Sequence, residues 1–312
     1  MAIVTSDLLF LTLAGLKTEF DAAYNKANEN PEWRLIADEI PTTLPAQVHG
    51  WMGRGAVMKQ FIAEPEHQSA SGYTQTVSDI LYKADLVIQR KMLEDDQYGI
   101  LARRARGMAG EAVRHWNQLV YQGLVNGFTS TCYDGKNFFA NNHSEGASGT
   151  QNNTDTQTLS DVGLETADTT MRGYKDDKGI PMEVIPDTLV VGPLLQWRAQ
   201  RLVGSEVVVH LPGDGTAGSG ATTYTPFSNV FRGRYNLVVN PYITGYQWFL
   251  LDTKRDVKPI LMQSRSDVPI TLETDMDQPS AKILEQYQFT LRGRYTQFYG
   301  LWQFAYGSNA SS

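Results

Sequence analysis

The side chains that could carry out chemistry are few and widely spaced. No two histidines have the spacing of a metal-binding motif such as HExxH, so the sequence predicts no metal site. His115 lies beside Trp116 on a predicted helix. A histidine there is more often exposed, or hydrogen-bonded to its neighbours, than a metal ligand. The histidines are His49, His67, His115, His143 and His210.

One pair of side chains could act as a nucleophile and its base. Cys132 precedes an Asp134-Gly135 turn and His143 follows it, so the thiol and the imidazole can come close together. No other residue in the pattern would activate the thiol. We therefore expect no catalytic role for Cys132 or His143.

Two further patterns are explained without chemistry. The acidic run 94–96 could bind a cation, but its position at the start of a helix favours capping. The Gly-rich segment 213–220 lacks the lysine of a phosphate-binding loop and leads into no helix, and G-x-S-x-G is absent. The sequence thus predicts no enzyme and no cofactor.

The composition fits a large, mildly acidic folded chain. Its 312 residues, 41% of them apolar, suffice for one large domain or two ordinary ones. The formal charge of −7 argues against broad non-specific nucleic-acid binding, which needs clustered lysine and arginine. A single cysteine excludes an intramolecular disulfide framework and fits a reducing compartment. The apolar run 8–16 is too short to span a bilayer, and we find no other membrane segment.

The longest predicted element is a helix over 96–127. Apolar or small residues recur in it at steps of three and four, which places them on one helix face. At ~1.5 Å per residue, about 30 residues make a rod of roughly 45 Å. Asp95 or Asp96 can cap its start, and Gly127 can end it in a left-handed conformation. We expect this helix to pack on the C-terminal strands through Leu101, Met108, Trp116 and Leu119.

Another face of the same helix is basic. It carries Arg103, Arg106 and Arg114. These arginines form either a solvated surface or a contact with a neighbouring subunit or nucleic acid.

The N-terminal residues 6–27 are predicted to form an amphipathic helix with Ser6 as its N-cap. Its apolar stripe is strong for a chain end. The helix either folds back on its own core or is an arm that docks on a partner, and we expect an inter-subunit contact. The residues expected to make it are Leu9, Leu13, Leu16 and Phe20.

Residues 34–80 are broken by proline and glycine into short extended runs at 34–40, 47–52, 58–63 and 73–81. Such runs bury little among themselves, and an isolated hairpin is marginal in water. We interpret the segment as an extended β arm that must lie on something larger. Its expected contact residues are Trp51, Met52, Arg54, Lys59, Phe61 and Ile62.

The segment after the long helix is predicted to be an α/β section. Residues 141–158 are polar and predict a mobile loop. A helix over 159–174 follows, with core candidates Leu159, Val162, Ala167 and Met171. Strands are predicted at 188–191, 207–211, 236–239 and 246–251, a helix at 194–203 and a Gly-rich loop at 213–223.

The C-terminal tail is predicted to be mostly strand, at 258–263, 268–272, 282–291 and 295–305. FRGRY at 231–235 and LRGRY at 291–295 are similar, and we interpret both as turns at the entry to a strand. Before the long helix, residues 82–92 alternate with the period of a strand.

The order of these elements resembles the major capsid protein fold of tailed phages, the Hong Kong 97 type. At the residue level the chain resembles the major head subunit of Mu-like phages and prophages. The matching stretches are GWMGR at 50–54, LEDDQYGI at 93–100, CYDGKNFFANNHS at 132–144 and RGRYTQFYGLWQ at 292–303.

The resemblance implies an α+β fold with named regions. They are an N-terminal arm at 1–33, an extended β loop (E-loop) at 34–80, a peripheral (P) domain at 81–158 with the spine helix at 96–127, an axial (A) domain at 159–253, and return strands of the P domain at 254–312.

The resemblance also implies partners. The expected assembly is a shell of hexamers and pentamers around double-stranded DNA, contacted non-specifically, in the virion, built in the host cytoplasm without a membrane. No long charged helical segment precedes residue 30, so by analogy with the family scaffolding is a separate protein or an upstream piece already removed, and Met1 favours a separate protein. A portal and a decoration protein are the other expected partners. The alternatives are an encapsulin-like or gene-transfer-particle shell protein, or a soluble hydrolase or binding protein.

Overall fold

The computed structural model describes residues 6–52, 72–89, 91–92, 99–210, 225–265, 271–275 and 286–311. They contain helices together with sheets whose strand pairs are mostly antiparallel, as expected of an α+β chain. The α-helices are α1 (Ser6–Ala27), α2 (Ile100–Asn126), α3 (Asp161–Arg172) and α4 (Gln196–Gly204). The predicted helix over 6–27 is confirmed, and α2 lies inside the predicted long helix. None of the helices in these ranges is long and apolar enough to cross a membrane.

The strands are short except in the tail. They are β1 (Ala37–Thr42), β2 (Ala46–Met52), β3 (Gly72–Ser78), β4 (Ile80–Gln89), β5 (His143–Ser144), β6 (Thr150–Gln151), β7 (Thr154–Asp155), β8 (Thr188–Val191), β9 (Val207–His210), β10 (Thr225–Ser228), β11 (Asn236–Val239), β12 (Trp248–Leu251), β13 (Ile260–Arg265), β14 (Thr271–Asp275), β15 (Gln286–Tyr299) and β16 (Ala305–Ser308).

By their internal contacts the residues divide into two compact units. The first unit contains residues 1–48, 76–120 and 261–298. The second contains residues 49–75, 121–260 and 299–312. Each unit is therefore assembled from segments that are far apart in the sequence.

The first unit is built around β15. This strand pairs antiparallel with β4, from Gln286 opposite Gln89 to Tyr295 opposite Ile80, and it belongs to a sheet of order β1-β13-β15-β14. Every second side chain of β15 is buried between Tyr287 and Tyr295, as the period of a strand requires. Those side chains meet the apolar faces of α1 and α2 in one core. Its buried members are Leu16, Phe20, Ile88, Leu101, Ala105, Ala109, Ala112, Tyr287, Phe289 and Leu291.

The second unit contains a mixed sheet of order β11-β8-β12-β16-β7. The strand β8 is parallel to β11 and antiparallel to β12, and β12 is antiparallel to β16. All four residues of β8 and of β12 are buried. Helix α4 packs on β11 and α3 packs on β16. Burial on both faces explains why these strands are continuous apolar runs in the sequence.

The polar segment 141–158 differs from its prediction as a mobile loop. It contains the short strands β5, β6 and β7, and His143 and Asn153 are fully buried. The Asn153 side chain accepts a hydrogen bond from the Ala140 backbone amide and donates to the Phe138 carbonyl, at 2.9 and 2.8 Å. The Asn153 side chain replaces water as the hydrogen-bond partner of this backbone, which is why a polar residue is buried here.

Three other predictions about local structure are wrong. Within the described residues, the tail strands predicted at 282–291 and 295–305 form one strand that ends at Tyr299, because LRGRY continues β15 opposite β4. Only FRGRY turns, with Gly233 at φ 67°. Gly127 does not have the positive φ of the predicted left-handed helix end. A glycine fits there because a Cβ would lie 2.8 Å from the Phe139 ring. Val162 is 44% exposed and is not part of the core.

Candidate functional site

The Cys132–His143 pair is brought together as the sequence suggested. The turn at Asp134-Gly135 places Gly135 at φ 75°, and its amide donates to the Cys132 carbonyl at 3.1 Å. Asp134 then lies between the two groups. Its Oδ1 accepts from Cys132 Sγ at 3.0 Å, and its Oδ2 lies 2.6 Å from His143 Nδ1. The three side chains form a buried hydrogen-bonded cluster.

The electrostatics of this cluster oppose catalysis by the thiol. Burial raises the pKa of Cys132, and its hydrogen bond to Asp134 raises the pKa further. Burial alone would raise the pKa of Asp134, but the hydrogen bonds from His143 and Cys132 leave that pKa below its usual value. A nucleophilic cysteine needs a thiolate, which this environment disfavours.

A second polar network surrounds Glu145. Its Oε1 accepts from the Tyr133 hydroxyl at 2.5 Å, from Trp302 Nε1 at 2.8 Å and from Gln303 Nε2 at 3.2 Å. The Trp302 ring also stacks on His143 with ring centroids 4.2 Å apart. The network therefore ties the turn after α2 to the C-terminal residues of the same unit.

A cavity of about 250 Å³ lies within the first unit, between β4, β15 and α2. His115 lines it, with Nδ1 2.8 Å from the Tyr295 hydroxyl, and Tyr82 stacks on Tyr295 at 4.7 Å. Burial lowers the pKa of His115, against the opposing charge of Glu111. The histidine is thus held by its neighbours, as the sequence pattern indicated.

The four residues expected to form the core face of the long helix lie in two environments. Leu101 and Trp116 are buried, at 3% and 6% exposure, whereas Met108 and Leu119 are half-buried. The Trp116 ring lies 5.0 Å from the rings of both Trp33 and Tyr295. On the basic face of the helix, Arg106 pairs with Glu19 at 2.7 Å and Arg114 pairs with Glu111.

The residues expected in the N-terminal arm require a correction. Leu16 and Phe20 are buried in the core of their own chain, at 6% and 0% exposure, and are therefore not free to dock on a partner. The stripe folds back because α2 and β15 offer it an apolar surface in the same unit. The side chains of Leu9 and Leu13 lie outside the described part of the chain.

The residues expected in the β arm lie mostly outside the described residues. Trp51 and Met52 end β2, which pairs with β3 in a two-stranded ladder, but their side chains are not described. The other expected contact residues, Arg54, Lys59, Phe61 and Ile62, are outside the described ranges.

Sequence reasoning missed two exposed helix faces in the second unit. On α4 and the turn before it, Leu194 and Trp197 are 65% and 68% exposed. On α3, Val162 is exposed beside Glu165. The available signal was an apolar pair three residues apart on the side of the helix opposite its buried residues Ala199 and Val203.

The family model for the Mu-like prophage major head subunit gpT matches residues 11–160, 154–243 and 244–311. This chain belongs to that family. It is 22% identical over 274 residues to the major capsid protein of Escherichia phage Mu, covering 88% of this chain and 65% of that protein. It is 26% identical over 147 residues to the Mu-like prophage FluMu major head subunit of Haemophilus influenzae, covering 47% of each. The chain thus spans about half to two thirds of these gpT relatives.

Solved structures show the fold of this gpT family member. The capsid protein of bacteriophage JBD30 superimposes with a TM-score of 0.58 at 18% identity, covering 78% of this chain and 100% of that one. A virus-like particle from Pyrococcus furiosus superimposes with a TM-score of 0.54 at 9% identity, covering 95% and 98%. The fold is therefore that of Hong Kong 97-type shell proteins, as the sequence resemblance implied.

Proposed function

We propose that this chain is the major capsid protein of a tailed bacteriophage or prophage. Its copies form hexamers and pentamers of an icosahedral shell that encloses double-stranded DNA. The family match along nearly the whole chain carries this proposal. A mildly acidic chain suits the role, because a strongly basic inner wall would hold the packaged genome too firmly.

The regions expected from the sequence are part of the proposal. The N-terminal arm is 1–33, the E-loop is 34–80, the P domain is 81–158 with return strands at 254–312, and the A domain is 159–253. The E-loop contacts a neighbouring subunit, and the A domain surrounds the capsomer axis. The DNA is contacted without sequence preference, and separate scaffolding, portal and decoration proteins act on the shell.

The proposed role is structural and not enzymatic. The buried, hydrogen-bonded state of Cys132, together with its raised pKa, supports this role. The location is the virion capsid, after assembly in the cytoplasm of the bacterial host.

Size-exclusion chromatography and negative-stain microscopy of the purified chain test the proposal. Capsomers or closed shells are expected across the assembly conditions. A stable monomer under all of them would overturn it. An encapsulin-like role shares the fold, and a shell that encloses a protein cargo in place of DNA would favour that alternative.

A further inference from the structure

Two helix faces of the second unit are exposed with the same spacing. The α4 face consists of Leu194, Trp197, Arg198 and Arg201, at positions i, i+3, i+4 and i+7, and all four side chains are exposed. The α3 face consists of Val162, Glu165, Thr166 and Thr169, with the same spacing and also exposed. Trp197, Arg198 and Arg201 lie along α4, and Leu194 lies in the 3-10 turn Pro193–Leu195 that precedes it; the α3 residues all lie within their helix. On both helices the exposed residues are opposite those that the helix buries.

The two faces are complementary in chemistry. The α4 face has two large apolar side chains and two arginines, and the α3 face has an apolar valine and a glutamate. Neither arginine nor Glu165 has an ion-pair partner within the described ranges of the chain. Tryptophan and arginine are the residues most enriched among the side chains that dominate protein interfaces. An exposed tryptophan between a leucine and two arginines therefore has the composition of a contact centre.

The charge of the α4 face restricts the symmetry of its contact. A two-fold contact between two α4 faces would place Arg198 and Arg201 opposite like charges. A head-to-tail contact needs two different surfaces on each copy, which the α4 and α3 faces provide. Helix α4 packs on β11 and α3 packs on β16. In the order β11-β8-β12-β16 these strands are three spacings, or roughly 14 Å, apart.

We propose that the α4 face of one copy binds the α3 face of the next copy around the capsomer ring. The inference rests on the proposed function, which supplies the second copy. Trp197 and Leu194 pack against Val162, and Arg198 and Arg201 surround Glu165. Each copy uses both faces, so the contact repeats until the ring closes.

Charge reversal tests the pairing. Arg198→Glu with Arg201→Glu should leave the fold intact by circular dichroism and raise the concentration needed for capsomer formation by at least ~tenfold. Adding Glu165→Arg and Thr169→Arg to the same chain restores opposite charges and should recover assembly. Lys175→Glu, an exposed cation of the same unit, is the matched control and should assemble like the native chain.

The outcomes separate this inference from the proposed function. If the native chain forms capsomers and the α4 reversal leaves assembly unchanged, the inference fails and the proposed function stands. If the variant with all four substitutions does not recover capsomer formation, the pairing with α3 is overturned. If the native chain forms no capsomers, the proposed function itself fails.

Cross-linking tests the head-to-tail geometry. Gln200→Cys and Thr169→Cys place thiols at the exposed margins of the two faces and keep Trp197 and both arginines. A short bismaleimide should then link the native-like oligomer into a ladder that extends beyond two chains. Bands that stop at the dimer would overturn the head-to-tail contact. Each single-cysteine variant is the control and should remain unlinked.

Discussion

At the scale of single residues, burial makes potentially reactive groups structural. The Cys132 thiol and His143 Nδ1 both hydrogen-bond to the Asp134 carboxylate. The pattern Cys-x-Asp-Gly with a histidine nearby would suggest chemistry in an exposed loop. The same residues in the second unit instead hold the turn after α2 in place.

Replacing the thiol tests that view. Cys132→Ser keeps a donor for Asp134 and should leave both folding and particle formation intact, because no step depends on a thiolate. Electron microscopy of assembly reactions and thermal unfolding measure the two properties separately. Loss of assembly in a variant with native stability would reveal a functional role for this residue.

A large single-residue effect on stability is expected at Trp116. Its side chain is 6% exposed and packs between Trp33 and Tyr295. Trp116→Ala should therefore lower the free energy of unfolding by ~3–5 kcal/mol through the cavity it leaves. Trp197→Ala is the matched control, because that ring is 68% exposed in the single chain and its loss should hardly change thermal unfolding of the unassembled subunit. Equal stabilities of the two variants would contradict the assigned helix face.

His115 should make stability depend on pH near neutrality. Burial lowers its pKa in the folded state below the usual 6.5, so the unfolded chain binds the proton first as pH falls. The stabilisation from the neutral ring is complete above pH 6.5, and it is lost as the pH falls from 6.5 through the lower pKa of the folded state. Urea unfolding at about pH 7.5 and about pH 5.5 should show a larger loss for the native chain than for His115→Gln. Identical losses would contradict the effect.

At the scale of elements, the sequence predicted most of the described helices and strands. It did not predict which distant segments would pair with them. FRGRY and LRGRY are nearly the same pentapeptide, yet one turns at Gly233 and the other continues β15. The difference comes from β4, which is distant in the sequence and pairs with LRGRY. The burial of Asn153 within 141–158 was missed for a similar reason, because its partners Trp302 and Ala305 lie about 150 residues later.

The site was only partly predictable from the sequence for a related physical reason. The contact between Cys132 and His143 is local and follows from a turn, so its proximity could be anticipated. The exposed faces of α3 and α4 depend on which side of each helix the sheet covers. Val162 has the spacing of a core residue but lies on the uncovered side.

Two glycines, one just after α2 and one inside it, test how much space each has for a side chain. Gly127 lies where a Cβ would meet the Phe139 ring at 2.8 Å, so Gly127→Ala should destabilise by ~1–3 kcal/mol through overpacking. Gly107 lies inside α2 with open space at its Cβ, so Gly107→Ala should stabilise by ~0.5–1 kcal/mol. Thermal unfolding of both variants measures the pair, and shifts of the same sign would contradict the packing.

At the scale of the whole molecule, assembly should depend on the proposed E-loop. Replacing 45–72 by a short Gly-Ser linker should leave a folded subunit that cannot build stable shells. The segment contains large apolar side chains, each able to contribute ~1.5–3 kcal/mol when buried on a neighbour. Charged pairs from Arg54 and Lys59 would add only ~0–1 kcal/mol each when exposed. Circular dichroism checks folding and electron microscopy checks shells; normal shells from the shortened chain would show that the arm is dispensable.

The pairing of β15 with β4 has a consequence for biosynthesis. Arg294 donates a hydrogen bond to Asp79, 215 residues earlier in the chain. Its own strand, β15, supplies Tyr287, Phe289 and Leu291 to the core of the first unit. Contacts of such long sequence separation form slowly, because a large loop must close before they are made. The first unit therefore cannot finish folding until β15 has left the ribosome. A chain that has not yet produced β15 lacks the finished core of this unit, so in the proposed shell it could not yet join a growing particle.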